Sequence, residues 1–162
     1  MLDRQLRDLL CACYLKPVDV VFRDRRFFRE PPDHHWLVRD AAARPIAQVS
    51  VHERALIQDW RRIPMGGIAE VCVHPDHRGR GLVRQMLRAA HGWLAAREFR
   101  FAMLFGNPQV YTSSGYVTVS NVSCEEYDAA GLPHRKPIAP MVCQLGAQPW
   151  PVDPILLPGL TF

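Results

Sequence analysis

The segment with the clearest chemistry is a turn rich in glycine and arginine, placed between a short apolar strand and an amphipathic helix. It spans residues 78–83 and reads Arg-Gly-Arg-Gly-Leu-Val. The first turn of a helix has unpaired backbone N–H groups and partial positive charge. Gly79 and Gly81 let the backbone approach a ligand closely and take positive φ, and Arg78 and Arg80 add positive charge. The pattern predicts a cradle for an anion such as a pyrophosphate.

Two common nucleotide motifs do not fit this turn. A P-loop has Lys followed by Ser or Thr after its last glycine, whereas Leu82 and Val83 follow Gly81. The dinucleotide fingerprint needs a third glycine and an acidic residue beyond the next strand, and neither is present. The sequence therefore excludes both motifs as the explanation of the turn.

A second motif lies at residues 104–116, which read Leu-Phe-Gly-Asn-Pro-Gln-Val-Tyr-Thr-Ser-Ser-Gly-Tyr. Tyr111 stands four residues before a Gly-aromatic pair. Asn107 precedes Pro108, an arrangement common where a helix starts, so Asn107 either caps that helix or contacts a cofactor.

The turn resembles motif A of the GCN5-related N-acetyltransferase (GNAT) superfamily, Arg/Gln-x-x-Gly-x-Gly/Ala. Arg78 takes the first place and Gly81 the fourth, while Val83 stands where Gly or Ala is usual. The segment around Tyr111 resembles motif B of the same superfamily. On these two motifs, over residues 35–120, the chain is identified as a GNAT member of the bacterial small-molecule type.

The resemblance implies an α/β fold with a mixed, largely antiparallel central sheet, flanked by helices, whose central strands splay apart. It implies direct acetyl transfer from acetyl-CoA to the amine of a small molecule. Tyr111 would protonate the departing thiolate, and Glu70 would remove a proton from the amine. The residues that would bind the cofactor are Val71, Cys72, Val73, Arg78, Gly79, Arg80, Gly81, Leu82, Val83 and Asn107.

The strand before the turn carries the candidate base. Alternation places Glu70, Cys72 and His74 on one face, with the apolar residues between them on the other. Burial would raise the pKa of Glu70, as a base requires; the alternative is an ion pair with an arginine. His74 and His77 are expected to cap or line the turn. Cys72 is either a nucleophile or, as we favour, a small buried residue.

Apolar periodicity and turn residues predict the remaining elements. Helices are expected at residues 2–15, 18–29, 81–97 and 108–114. Strands are expected at residues 35–39, 45–52, 68–74, 99–105, 116–120, 123–127 and 140–145. In the helix after the turn, the predicted buried residues are Val83, Met86, Leu87, Ala90 and Leu94, opposite Arg84, Arg88 and His91.

The 162 residues indicate a single domain, 1–162, with residues 149–162 as a C-terminal arm. GNAT members usually begin with a strand, whereas this chain begins with a helix, so that strand is missing or is supplied by the C-terminal extension or by a partner. The N-terminus lacks the pattern of a signal peptide, and no apolar run is long enough for a membrane helix. We therefore expect a cytoplasmic protein with no membrane partner; a homodimer is left open.

Five cysteines, 11, 13, 72, 124 and 143, have no metal-ligand spacing, so no metal site is expected and the thiols should be free. The net charge of +4 would also suit a nucleic-acid binder. The basic segment 23–29 contains acidic neighbours and is better explained as a solvated helix face, so no nucleic-acid partner is expected. Two alternatives stay open: a non-catalytic acyl-CoA sensor, and an enzyme that uses a longer acyl donor.

Overall fold

The computed structural model describes residues 1–159 and 161–162. Three α-helices are present: α1 (Leu2–Cys13), α2 (Leu82–Ala95) and α3 (Pro108–Tyr111). Short 3-10 helices lie at Pro17–Arg23, Pro75–His77 and Thr112–Ser114. The strands are β1 (His34–Arg39), β2 (Pro45–Gln58), β3 (Arg61–Val73), β4 (Phe101–Leu104), β5 (Val117–Thr118), β6 (Val122–Tyr127), β7 (Pro133–Ile138), β8 (Met141–Gln144) and β9 (Ile155–Leu157).

The strands form one mixed sheet in the order β5-β8-β4-β3-β2-β9-β6-β7, with β1 paired to β2. Most pairs are antiparallel, while β3 with β4 and β6 with β9 are parallel. The parallel pairing of β3 covers only Met65–Gly67, although the strand continues to Val73. This confirms the predicted α/β class with a mixed, largely antiparallel sheet.

The described chain contains two compact units. The first unit comprises Met1–His52, Ile68–Ala90 and Phe162, and the second comprises Glu53–Gly67 and His91–Thr161. In the first unit, the buried face of α1 packs Leu9 and Leu10 against Phe22 and Cys72. In the second unit, Phe101 of the fully buried β4 meets Trp150 edge-on at 4.9 Å. The single-domain boundary predicted from the sequence stays a prediction.

The observed elements differ from the expected bounds at three places. Residues 18–29 do not form an α-helix, because the chain makes a 3-10 helix at Pro17–Arg23 instead. Strand β2 runs on to Gln58, and the chain reverses at Asp59 and Trp60, which both have positive φ, 46° and 65°. A two-residue hairpin turn requires such φ values, and Asp-Trp lacks the glycine that usually signals one. Strand β7 was not foreseen, whereas β9 forms within the predicted arm, where a strand from the C-terminal extension was one of the alternatives.

In helix α2, Met86, Leu87, Ala90 and Leu94 are buried as the periodicity predicts, whereas Val83, at the start of the helix, is only half-buried. In the second unit, Gly66 makes room for a large side chain. A Cβ on Gly66 would lie 2.5 Å from the Leu94 side chain. None of the helices in the described residues is long and apolar enough to span a membrane.

Candidate functional site

The predicted anion cradle lies in the first unit, at the end of β3. The amide of His74 donates to the carbonyl of Ile46 at 2.8 Å, which holds the end of the strand against its neighbour. The ring nitrogen Nδ1 of His74 then accepts from the amide of Asp76 at 3.4 Å and caps the 3-10 helix Pro75–His77. His74 therefore caps the lead-in, as the sequence predicted.

The turn itself is open and is shaped by two glycines in the left-handed region. Gly79 has φ 74° and Gly81 has φ 71°, and a Cβ built on either would meet no atom within 4 Å. Glycine is needed here for its backbone conformation and not for space. Residues 78–81 are all exposed, so no side chain fills the turn.

Helix α2 begins directly after the turn with free amides. The amide of Gln85 donates to the carbonyl of Gly81 at 3.1 Å. The amides of Leu82, Val83 and Arg84 precede Gln85 in the chain. The carbonyls four residues before them lie outside the helix, so these amides have no acceptor within it. An open turn, free amides and two exposed arginines form the arrangement that binds an anion.

The edge of β3 next to the turn is contacted by α1, which sequence analysis did not foresee. The hydroxyl of Tyr14 donates to the carbonyl of Val71 at 3.1 Å. The carbonyl of Val73 accepts from Sγ of Cys13 and from Nε of Arg78, each at 3.3 Å. The end of α1 and one arginine of the turn therefore converge on two carbonyls of this strand.

Glu70 is the most unusual residue of β3. Its side chain is 7% exposed and its φ is 42°, a conformation that non-glycine residues rarely adopt. Ala69, Glu70, Cys72 and Val73 are all buried, so both faces of this part of the strand are covered. A strained residue in the middle of a strand is typical of functional positions.

The carboxylate of Glu70 is not held by an arginine, contrary to the alternative that the sequence left open. Oε1 accepts from the amide of Phe28 at 3.0 Å, and Oε2 is buried with no hydrogen-bond partner among the described residues. Burial raises the pKa of Glu70, against the opposing effects of the Phe28 amide and the Ser50 hydroxyl. The site therefore contains a carboxylate that is buried and only partly satisfied, as a proton acceptor requires.

A row of buried polar side chains on β2 accompanies this carboxylate. Gln48, Ser50 and His52 occupy alternate positions and are at most 1% exposed. Nε2 of Gln48 donates to the carbonyl of Glu70 at 3.3 Å, and Oγ of Ser50 lies 3.3 Å from Nδ1 of His35. Burial, followed by the charge of Arg26, lowers the pKa of His35 to about 4, so its ring is neutral near pH 7.

Sequence analysis missed this row, although its signal was there. Three polar residues at a spacing of two, which alternate with Ala47, Val49 and Val51, mark one face of this part of the strand as polar. The same face of β1 contributes His35. In the first unit, Ser50 thus lies at hydrogen-bond distance from His35, and its hydroxyl opposes the rise in the pKa of Glu70.

Tyr111 lies in the second unit, as the last residue of α3. Oδ1 of Asn107 accepts from the amide of Gln109 at 2.9 Å, so Asn107 caps this helix. A Cβ on Gly106 would lie 2.4 Å from the Tyr111 ring, which shows that the ring packs directly over the Gly106 backbone. The position of the Tyr111 ring therefore depends on the absence of a side chain at residue 106.

A buried cluster supports the ring of Tyr111. Tyr116 is fully buried and meets Tyr111 edge-on, with 6.1 Å between ring centroids. Its hydroxyl shares a 2.8 Å hydrogen bond with Nε2 of His91, whose pKa burial lowers to about 4. Sγ of Cys143 lies 4.0 Å from the other ring nitrogen of His91. The expectation that His91 faces solvent was wrong, because its ring is half-buried against Tyr116.

In the resting protein, Cys72 is not suited to be the nucleophile that attacks a substrate. A hydrogen bond with Cys13, and then burial, raise the pKa of its thiol well above the usual value. Among the described residues, no group of three or more His, Cys, Asp or Glu side chains could hold a metal ion.

The comparisons with known proteins agree on one family. Residues 4–119 match the family model described as an acetyltransferase (GNAT) domain. The structure is similar to a GNAT family N-acetyltransferase (YhbS) from Escherichia coli, solved in complex with CoA. That match has 15% identity and a TM-score of 0.68, over 95% of this chain and 83% of the other. No curated protein matches in sequence.

Two further similar structures belong to longer proteins. A GCN5-related N-acetyltransferase from Anabaena variabilis is 16% identical, with a TM-score of 0.58 over 72% of this chain. One from Kribbella flavida is 21% identical, with a TM-score of 0.57 over 71% of this chain. This chain spans 30% of the length of each. At these identities the likeness concerns the fold, whereas the family model covers well over half of the chain. The chain therefore belongs to the GNAT acetyltransferase family.

Proposed function

We propose that the protein is an acetyl-CoA-dependent N-acetyltransferase that transfers an acetyl group directly to the amine of a small molecule. Membership of the GNAT family makes the chain an acyltransferase. The observation that carries the finer proposal is the open turn of residues 78–81, followed by the free amides at the start of α2. A similar fold, that of the Escherichia coli protein, was solved with CoA bound.

The residues of the turn fit the diphosphate of CoA. Gly79 and Gly81 leave open space on the side where a Cβ would stand. Arg78 and Arg80 supply charge, and the amides of Leu82 and Val83 supply hydrogen-bond donors. The backbone of Val71–Val73 would pair with the amide-bearing arm of the carrier as an added strand does.

The bound thioester supplies the acyl group, and side chains of this chain handle two protons. Glu70 would take a proton from the attacking ammonium, since its buried carboxylate has a raised pKa and an oxygen without a partner. Ser50, whose hydroxyl opposes the rise in the pKa of Glu70, and the neutral His35 next to it would help to hold that carboxylate in place. The Tyr111 hydroxyl would donate a proton to the departing sulfur.

A thiol-release assay tests this proposal. Purified protein would be mixed with acetyl-CoA and a panel of primary amines, with Glu70→Gln as the matched control that keeps the size of the side chain. We expect amine-dependent release of CoA that the control loses. Thermal stabilisation by acetyl-CoA without turnover on any amine would instead support a non-catalytic sensor. Parallel reactions with longer acyl-CoA donors would show whether acetyl is the preferred group.

A further inference from the structure

Two cysteine thiols of the first unit meet beside the edge of β3. Cys13 is the last residue of α1 and is half-buried, while Cys72 lies on β3 and is 6% exposed. Cys13 packs against the apolar cluster that contains Cys72, and each thiol shifts the pKa of the other. Cys13 is therefore the more accessible of two neighbouring thiols, and Cys72 is the protected one.

A cation stands next to the accessible thiol. Sγ of Cys13 and Nε of Arg78 both lie 3.3 Å from the carbonyl oxygen of Val73. The hydrogen bond from Cys72, and then the charge of Arg78, lower the pKa of Cys13 to about 7, although burial opposes them. A thiolate is the reactive form of cysteine, and an adjacent guanidinium favours it. Cys72 has the opposite environment and stays protonated.

We propose that Cys13 is a thiol–disulfide exchange site for low-molecular-weight disulfides and that Cys72 is its resolving thiol. The Cys13 thiolate attacks one sulfur of a disulfide RSSR, forming a mixed disulfide and releasing RS⁻. Once Cys13 is in the mixed disulfide, its hydrogen bond and charge no longer raise the pKa of Cys72. Cys72 then passes its proton to the released RS⁻ and attacks Sγ of Cys13, which expels the second RS⁻. The two thiols are oxidised to one Cys13–Cys72 disulfide, and RSSR is reduced to two molecules of RSH.

The position of this pair connects it with the proposed function, on which this step rests. Cys13 and Tyr14 donate to the carbonyls of Val73 and Val71, the strand segment assigned above to the arm of the carrier. A group attached to Cys13 would lie along that edge and compete with the arm. We therefore expect the mixed disulfide to weaken acetyl-CoA binding.

The test treats the reduced full-length protein with glutathione disulfide at neutral pH and follows intact mass and peptide maps. The wild type should lose two hydrogens and give a linked Cys13–Cys72 peptide. Cys72→Ser should stop at one glutathione adduct on Cys13, and Cys13→Ser should give neither product. Cys11→Ser is the matched control on the same helix and should behave as the wild type. Cys13 should react at least about tenfold faster than Cys11, because it is the thiol with cationic assistance.

Equal modification of Cys13 and Cys11, or a Cys72→Ser protein without the Cys13 adduct, would overturn the exchange site. If Cys72→Ser proves unfolded by circular dichroism, Cys72→Ala and the wild-type peptide map decide the same question.

Calorimetry with acetyl-CoA then compares reduced and glutathione-modified Cys72→Ser, with at least about tenfold weaker binding expected after modification. Unchanged affinity would overturn the link to the carrier edge. Absence of binding by the reduced wild type would overturn the proposed function and leave the exchange chemistry, read by mass, standing.

Discussion

The two units use glycine in opposite ways to build their parts of the proposed machinery. Gly81 in the first unit has φ 71° and open space around it, so only its backbone conformation restricts substitution. Gly106 in the second unit lies against the Tyr111 ring, where a Cβ would approach to 2.4 Å. The comparison teaches that the cradle is made by the backbone, whereas the tyrosine is placed by close packing.

The same contrast holds for the polar groups of the two units. Glu70 in the first unit has a buried oxygen with no hydrogen-bond partner in the described part of the chain, which leaves it ready to accept a proton. Tyr116 and His91 in the second unit satisfy one another through a 2.8 Å hydrogen bond. We therefore expect Glu70 to take part in the chemistry, and Tyr116 and His91 to position Tyr111.

The largest expected effect comes from Glu70→Gln, which keeps the shape of the side chain and removes the base. The rate of amine-dependent thiol release should fall by about a thousandfold, within the range for general-base catalysis. The carboxyl has a raised pKa, so its ionisation destabilises the fold once the pH rises through that pKa. The melting temperature of the variant at pH 7.5 should therefore be unchanged or higher. A variant that keeps the full rate would show that Glu70 is not the base.

Gly81→Val comes next and tests the cradle of the first unit. A β-branched residue at φ 71° costs about 1–2 kcal/mol in backbone strain, so the turn should rearrange. Calorimetry should show acetyl-CoA affinity reduced by about a hundredfold in a protein with native circular dichroism. Gly106→Ala is the control from the second unit, and it should bind normally while turnover falls. Normal binding by Gly81→Val would contradict a cradle made by the backbone.

Tyr111→Phe should have a smaller effect, confined to turnover. A thiolate whose acid has a pKa near ~8.5 leaves readily, so loss of the proton donor should lower kcat by only about tenfold. The Kd for acetyl-CoA should be unchanged, since the ring and its contact with Gly106 remain. Full turnover across the pH range would refute the assignment of Tyr111 as the acid.

The smallest expected effect is the dependence of stability on pH. His35 and His91, one from each unit, have pKa values lowered to about 4, so both stay neutral in the fold and gain a proton more readily when unfolded. Their contribution to the stability of the fold is present above about pH 6.5 and is lost as the pH falls toward 4. The melting temperature should drop between pH 7 and pH 5, and His91→Gln should reduce that drop. If a His35→Gln/His91→Gln double variant shows the same drop in melting temperature as the wild type, these two residues are not its source.

Sequence patterns were most informative where the signal was local. The buried stripe of α2, the cap at Asn107 and the turn at residues 78–81 follow from periodicity, Asn-Pro and Gly-x-Gly alone. The positive φ of Glu70 could not be predicted, because non-glycine residues rarely adopt it and no local pattern marks it. The contacts of Cys13 and Tyr14 with that strand join residues about 60 positions apart, and no local pattern encodes them.

The central claim is that free amides at the start of α2 bind the diphosphate of CoA, and amide-resolved NMR tests it most directly. Titration of ¹⁵N-labelled protein with CoA should shift the amide signals of residues 79–84 most strongly, with Leu82, Val83 and Arg84 among them. The same signals should move with inorganic pyrophosphate alone. CoA that binds while these amides keep their free-state shifts would contradict the account.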